Sequence, residues 1–413
     1  MLISIEKLVF GGQGLGRVNN QVVFAWNALP SETVSVQITK KKKNYLEGIA
    51  EIIHTASPDR QTPLEDHWLS CSPWQIVSPQ AEAAWKVTLA QESYFRLQIH
   101  PEFIDASAVT GYRNKMEYSF THTATGEVCL ALFKRGSHWR QPITPCVLAS
   151  AAINQTAELV LAWLRTLPVT DHKLKSLIIL SNERGDTIAG LFVRDRDFPA
   201  ANTLGVTVYY SNPKSPASVP TELLAAGSTT ITTTVSGTPL RHDLLGFFQV
   251  NVPVFEQALT HIGQAVAEAD EVIDCYGGVG AISLPLHQQI KNCLIIDSNQ
   301  QAIAAAQQNI QELGFTHYTA QCSPAEAVLQ MFTEHQTIIV DPPRAGLHDD
   351  VTARLLTVRP KRIVYLSCNL STQARDVERL LAGYTITNTR IFNFFPRTPH
   401  IEGLIVLDRR SAS

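Results

Sequence analysis

A chain of 413 residues is longer than one hydrophobic core usually organises and implies two or three domains, with 45% hydrophobic and 17% charged residues, as in ordinary globular proteins. A net charge of −3 excludes a generally basic nucleic-acid-coating protein, so any nucleic-acid partner has to be met by a local basic face. Seven cysteines without paired spacing exclude a disulfide framework; with no apolar run of bilayer length and no signal-like start, the expected compartment is the cytoplasm.

Residues 1–55 read as a small β-barrel. A turn rich in glycine (Gly11, Gly12, Gly14, Gly16) precedes strand patterns at 22–26 and 33–39. Barrels of this size often act as nucleic-acid modules. The second strand pattern runs into Lys40, Lys41, Lys42 and Lys43. A lysine run is commonly just a solvated loop, but on a small barrel it could supply a sequence-independent phosphate grip.

Residues 56–238 read as a central α+β domain. Pro58, Pro63, Pro73 and Pro79 break up its start, after which 80–97 has the composition of a helix, one able to pack with the C-terminal domain. Strand-like pieces at 128–134, 177–181 and 206–210, with one helix near 154–167, predict a mostly antiparallel sheet. Arg113 and Lys115 near its start are open to two readings, surface charge or substrate contact.

From 239 to 413 the texture becomes alternating strand and helix, the pattern of a doubly wound parallel sheet. Strands are predicted at 271–274, 293–296, 337–340, 363–366 and 404–407, with helices starting near Ala281 and spanning Gln300–Leu313. The overall fold class is α/β, with a Rossmann-like C-terminal domain behind the barrel and the central domain.

The chemistry-bearing residues fall at the ends of those strands, where open α/β sheets bind ligands. Gly277, Gly278 and Gly280 form the turn that leaves the first strand, and Asp297 ends the second; this spacing suits an adenosine cofactor, with Asp297 accepting from ribose hydroxyls. Asp274 favours a cationic cofactor such as S-adenosylmethionine over a phosphorylated dinucleotide. Asp341-Pro342-Pro343 forms a stiff loop holding a carboxylate toward a planar ring. Cys368 comes directly after the apolar run of the fourth strand and is a candidate nucleophile, although a lone cysteine is more often a small core thiol.

Together, Phe247-Phe248-Gln249-Val250-Asn251, Asp274 to Gly280, Asp341 to Gly346, Ser367-Cys368-Asn369 and Phe395 to Glu402 resemble the RNA uracil-5 methyltransferases, whose members often begin with a small barrel called a TRAM domain. The resemblance covers essentially the whole chain. It implies S-adenosylmethionine-dependent methylation of a uridine at C5. Uracil C5 is too weak a nucleophile unaided, so a thiolate first adds at C6; Cys368 matches that nucleophile. Glu402 matches the base that removes the C5 proton, and His400 a structural hydrogen-bonding residue. Gln249, Tyr276, Asp297 and Asp341 match cofactor-contacting positions, Asp297 standing where many relatives carry Glu.

Some members hold an iron–sulfur cluster on four cysteines. Only Cys71 and Cys146 match here, so no cluster and no metal are expected, with Glu65 and Trp74 filling the space by packing. The expected partner is RNA, contacted by Lys40 to Lys43, Arg113 and Lys115, with no membrane and no obligate protein partner. The barrel favours 23S ribosomal RNA, with transfer RNA as the alternative. A non-catalytic RNA-binding assembly factor and an NAD-dependent oxidoreductase are further readings; intact Cys368 and Glu402 argue against the former, and the incomplete G-x-G-x-x-G series against the latter.

Overall fold

Alternation of apolar and polar residues closes the first five strands on themselves. A computed structural model of the protein describes residues 1–106, 108–143, 145–267 and 269–410, and in it Leu2–Leu8, Gly14–Val18, Gln21–Trp26, Thr33–Lys41 and Tyr45–Thr55 form a closed barrel. Ile3, Ile5, Val23, Ala25, Val34 and Val36 fill its interior, as a period of two requires. Gly12 has φ +92°, and a side chain there would run into Pro399 and the Trp74 indole, so both backbone and packing demand glycine. Trp74 is fully buried and donates through Nε1 to the Gly12 carbonyl at 3.1 Å.

The irregular stretch after the barrel is pinned by Glu32. Its buried carboxylate accepts from Leu29 N at 2.8 Å, Ser57 N at 3.1 Å and Arg60 Nε and Nη2 at 2.5 and 2.8 Å. Removing one partner of such a pair typically costs about 3–5 kcal/mol, because the other charge is left buried and unmatched.

The central sheet has seven strands in the order Glu222–Ala225, Thr207–Tyr210, Thr187–Val193, Leu174–Ser181, Lys115–His122, Val128–Phe133 and Arg140–Pro142. Every pair is antiparallel except Thr187–Val193 with Thr207–Tyr210. Helix Ala151–Arg165 packs on it through Ile153, Ala157, Val160 and Leu164, the three-to-four spacing of one helical face. Ser150 caps that helix, its side chain accepting from Ile153 N.

The eight-stranded sheet runs Tyr318–Cys322, Asn292–Asp297, Glu271–Cys275, Thr337–Val340, Arg362–Ser367, Glu402–Arg409, Tyr384–Phe392 and Glu102–Ile104. Its first five strands are parallel, Glu402–Arg409 is antiparallel to both its neighbours, and Glu102–Ile104 pairs in parallel at the far edge. The helix expected from Ala281 does not form: only the 3₁₀ stretch Leu284–Leu286 appears. An α-helix starting there would need an amide proton from residue 285 for the carbonyl of Ala281, and Pro285 has none. Helix Gln300–Leu313 forms with the expected bounds, capped by Asn299 and closed by Gly314 at φ +71°.

The chain divides into two compact units, Met1–Leu89 with Ala108–Ile231 and Phe395–His400, and Ala90–Ser107 with Thr232–Phe394 and Ile401–Ser413. Within the first unit, the returning segment Phe395–His400 is held by buried charge. Arg397 N donates to both Glu82 oxygens at 3.0 and 3.1 Å, and Arg397 Nη1 to the Val77 carbonyl at 2.9 Å. Lys86, also fully buried, pairs with Glu82 at 2.9 Å and donates to the Phe395 carbonyl at 3.1 Å. Among the described residues no helix is long and apolar enough to cross a membrane.

Candidate active site

Strand register brings the predicted residues to one edge of the eight-stranded sheet. Cys275 pairs with Val340 and Val340 with Tyr365, so Tyr276 and Asp341 leave the sheet at the same end as Ser367. Ser367 pairs antiparallel with Gly403, so Cys368, the first residue past that strand, and Glu402, the residue before Gly403, lie at the same end, near enough for the Glu402 charge to add to burial in pushing the thiol up. Asp297 ends the parallel strand beyond Glu271–Cys275, on the same side.

Cys368 is positioned from both directions. Asn369 caps helix Leu370–Leu380, its side chain accepting from Ser371 N at 3.1 Å and Thr372 N at 3.4 Å, which sets the half-buried thiol just ahead of a helix N-terminus. That end of a helix favours an anion. Asn369 Nδ2 and Thr372 Oγ1 donate to the Arg344 carbonyl at 3.0 and 3.2 Å, and Arg375 donates to the Ala345 carbonyl at 2.9 Å. Buried Asp376 accepts from Leu347 N at 2.8 Å and the Tyr365 hydroxyl at 2.9 Å. The Asp341-Pro342-Pro343-Arg344 loop is thereby tied to the turn that carries the thiol.

Glu402 is buried at the start of its strand. Next to it, Gly403 leaves room for Gln373 and Tyr94, which a Cβ would strike. Gln373 Nε2 donates to the Tyr365 carbonyl at 2.8 Å and the Gly403 carbonyl at 3.0 Å, and the Tyr94 hydroxyl bonds to Gln373 Oε1. This bridge locks the strand that ends just ahead of Cys368 to the strand bearing Glu402.

The glycine turn folds onto Asp297, whose Oδ2 accepts from Gly278 N at 3.0 Å and Oδ1 from Asn299 N at 2.7 Å. Each oxygen keeps a lone pair for a further donor. Tyr276 has φ +62°, unusual for a residue with a side chain and a mark of a backbone held for a purpose. A side chain on Gly277 would meet Ile295 and the Asp274 carbonyl, whereas the space over Gly278 is open. Gln249 is buried ahead of helix Val252–Val266, and Asn251 Nδ2 anchors that turn to the Phe394 carbonyl at 3.0 Å.

The edge is rich in carboxylates and short of positive charge. Asp274 is fully buried and its oxygens make no well-aligned hydrogen bond; burial, opposed by nearby Ser283 and aided by the charge of Asp297, pushes it up to about 7. Asp341 is pushed up to about 7 by burial and the charge of Asp274. Burial, then Asp341, holds Glu402 well above the carboxylate range, against the pull of Arg344. Burial pushes the Cys368 thiol up to about 11, Glu402 and Asp341 adding to the rise and Arg344 opposing it. Unmatched buried carboxylates call for a cation, and the open space over Gly278 beside Asp297 fits a hydroxyl-bearing one.

The structure thus gathers Tyr276, Asp297, Asp341, Cys368 and Glu402 along one sheet edge. The six basic residues lie in the first unit: Lys40 to Lys43 are exposed around the end of strand Thr33–Lys41, with Lys40 3.5 Å from Glu47, while Arg113 and Lys115 are half-buried. Burial lowers the Lys115 pKa. Sequence reasoning missed Tyr94, Gln373 and Asp376. The last two carried a signal, being polar residues on the apolar face that Leu370, Ala374, Val377 and Leu380 define.

Known proteins resemble this chain at both ends and along its length. Residues 325–410 match the tRNA (uracil-5-)-methyltransferase family and residues 1–50 match the TRAM domain. An uncharacterized RNA methyltransferase of Lactiplantibacillus plantarum is 28% identical over 98% of this chain and 96% of its own, and one from Nitratidesulfovibrio vulgaris is 27% identical over 99% and 96%. The fold is similar to that of the Pyrococcus abyssi tRNA (uracil-54, C5)-methyltransferase, solved with S-adenosyl-L-homocysteine: TM-score 0.81 and 22% identity, covering 98% of this chain and all of that one.

Proposed function

We propose that this chain, matched over residues 1–50 by the TRAM domain and over 325–410 by the tRNA (uracil-5-)-methyltransferase family, is a methyltransferase of the RNA uracil-5 type that methylates C5 of a uridine through a covalent adduct on Cys368. The observation that supports this reading is that Cys368 and Glu402 lie at the same end of two paired strands, at a carboxylate-rich sheet edge.

Asp297 and the Gly278 turn would hold the ribose of S-adenosylmethionine, and Asp274, Asp341 and Gln249 its cationic part. When bound, that cofactor supplies an electrophilic methyl group. Cys368, as thiolate, adds to uracil C6 and makes C5 nucleophilic. With C5 methylated, Glu402 takes the C5 proton, the C5–C6 double bond re-forms, and the thiolate leaves. A carboxylate whose pKa is raised by burial is a stronger base once ionised, which suits this step. Arg344 is the neighbouring cation that favours the Cys368 anion.

The target uridine must be out of its stack to meet a thiol, so an unpaired loop is the natural substrate. Ribosomal 23S RNA is the proposed substrate because the barrel accompanies that branch; transfer RNA is the second reading, favoured by the family matched over 325–410.

RNA carrying 5-fluorouridine cannot give up its C5 substituent as a proton. With S-adenosylmethionine present, it should become covalently trapped on the wild-type chain and not on Cys368→Ala, as read by denaturing electrophoresis and peptide mass. No adduct under those conditions would refute the mechanism. Mapping 5-methyluridine in ribosomal and transfer RNA from cells with and without the gene separates the two substrates.

A further inference from the structure

A second cluster of reactive side chains lies wholly within the unit that holds the barrel and the seven-stranded sheet. Glu65, His67, Cys71 and Cys146 each present one donor atom, and the four atoms lie within 4.8 Å of one another. Cys71 Sγ is 3.2 Å from Glu65 Oε1, Cys146 Sγ is 4.0 Å from the same oxygen, and His67 Nε2 is 3.2 Å from Glu65 Oε2. His67 is only 2% exposed, yet its Nε2 makes no hydrogen bond of acceptable geometry. A buried ring nitrogen that lies beside a carboxylate without a well-aligned hydrogen bond is under-satisfied, and a bound cation would engage it.

We propose that Glu65, His67, Cys71 and Cys146 bind a single zinc ion that staples the irregular stretch after the barrel to the loop ahead of helix Ala151–Arg165. Two thiolates, an imidazole and a carboxylate make a four-donor set suited to tetrahedral zinc. Donors about 2.0–2.3 Å from a common tetrahedral centre stand roughly 3.3–3.8 Å from each other, so the observed separations close with small side-chain movements. An iron–sulfur cluster usually takes four thiolates, and only two are present. The expectation that Glu65 and Trp74 fill this space by packing describes Trp74, which is buried and bonded to Gly12; the Glu65 carboxylate instead forms the hub of the polar cluster.

The donors are oriented by their own partners. Gln75 Nε2 donates to Glu65 Oε1 at 2.8 Å and Val147 N to Glu65 Oε2 at 2.9 Å, aiming the carboxylate inward. Asn154 clamps the backbone of Cys146, accepting from its N at 3.2 Å and donating to its O at 3.0 Å. Such surrounding bonds are what set ligand geometry at metal sites. Each thiol releases its proton to solvent as it ligates, and no electron changes hands. Along the chain between strand Tyr45–Thr55 and helix Pro79–Ser93, whose residues are all described, the one named helix or strand is the four-residue helix Trp68–Cys71, so a cross-link to Cys146 would add constraint where the chain has little of its own.

Wild-type protein from zinc-supplemented cells, purified under reducing conditions without chelator, should carry about one zinc per chain and no iron or acid-labile sulfide by elemental and sulfide analysis. Cys71→Ser and Cys146→Ser should each lose it. Because loss of a buried thiol can also unfold the loop, the deciding measurement uses wild type, stripped of metal and titrated with cobalt(II) alone. It should show thiolate-to-cobalt charge-transfer absorption and the intense visible bands of tetrahedral cobalt, both abolished by stoichiometric zinc. A weak octahedral spectrum without charge transfer would overturn the proposal, as would iron with sulfide in the native protein. The readout needs neither RNA nor methyl donor, so it stands or falls apart from the methyl-transfer reading.

Discussion

Cys368 is set against its surroundings in the ligand-free protein. A thiol pushed up to about 11 is almost wholly protonated at neutral pH, and its carboxylate neighbours oppose ionisation. Arg344 is the counterweight, so Arg344→Ala should slow adduct formation about tenfold per pKa unit at pH 7.5 and move the rising limb of the pH–rate profile upward, with Arg344→Lys retaining most of the rate. Glu402→Gln should lower turnover by about 10²–10⁴-fold yet still form the adduct, since only proton removal is lost; single-turnover trapping separates these steps. Asp274 and Asp341 hold protons to about pH 7 when folded, against about 3.9 unfolded. With folded values raised, their contribution to stability is present below about pH 4 and is lost as pH rises through 7. The melting temperature of ligand-free Asp341→Asn should therefore fall less than that of wild type between pH 5 and 8. Affinity for S-adenosylmethionine, measured by calorimetry, should rise over the same interval in wild type and less in the variant.

Elements hold these residues through caps and buried polar bridges. Asn369 both caps helix Leu370–Leu380 and holds the Arg344 carbonyl, so Asn369→Ala should cost about 1 kcal/mol in chemical denaturation and more in kcat than stability alone explains. In the first unit Lys86→Met would leave Glu82 buried with its charge less matched, at about 3–5 kcal/mol; a loss under about 1 kcal/mol would show that Glu82 is satisfied by Arg397, through its amide and its guanidinium 3.9 Å away. Most elements were legible because period and caps are local: Thr337–Val340 and Gln300–Leu313 have the bounds their patterns suggest. Ala281 onward was misleading because apolar spacing favoured a helix, while one missing amide proton at Pro285 vetoed it.

At the scale of the whole molecule, the basic residues that would meet RNA and the residues that would act on it come from sequence regions far apart. Replacing Lys40 to Lys43 with alanine should weaken RNA binding and flatten its salt dependence by about 0.7 in log–log slope per lost single-strand phosphate contact, with cofactor affinity unchanged. Equal slopes for variant and wild type would remove the lysine run from RNA binding. What the sequence determined unaided was what short-range chemistry encodes: strand and helix periods, the glycine turn, the stiff Asp-Pro-Pro loop, and a family resemblance carried by contiguous motifs. Only the tertiary structure decided which side chains face one another. The pairing of Ser367 with Gly403 brings Cys368 and Glu402 to one end of the sheet, Tyr94 reaches Gln373 from far upstream, and His67 joins Cys71 and Cys146. Such meetings depend on register and on packing between distant segments, and no local period records either.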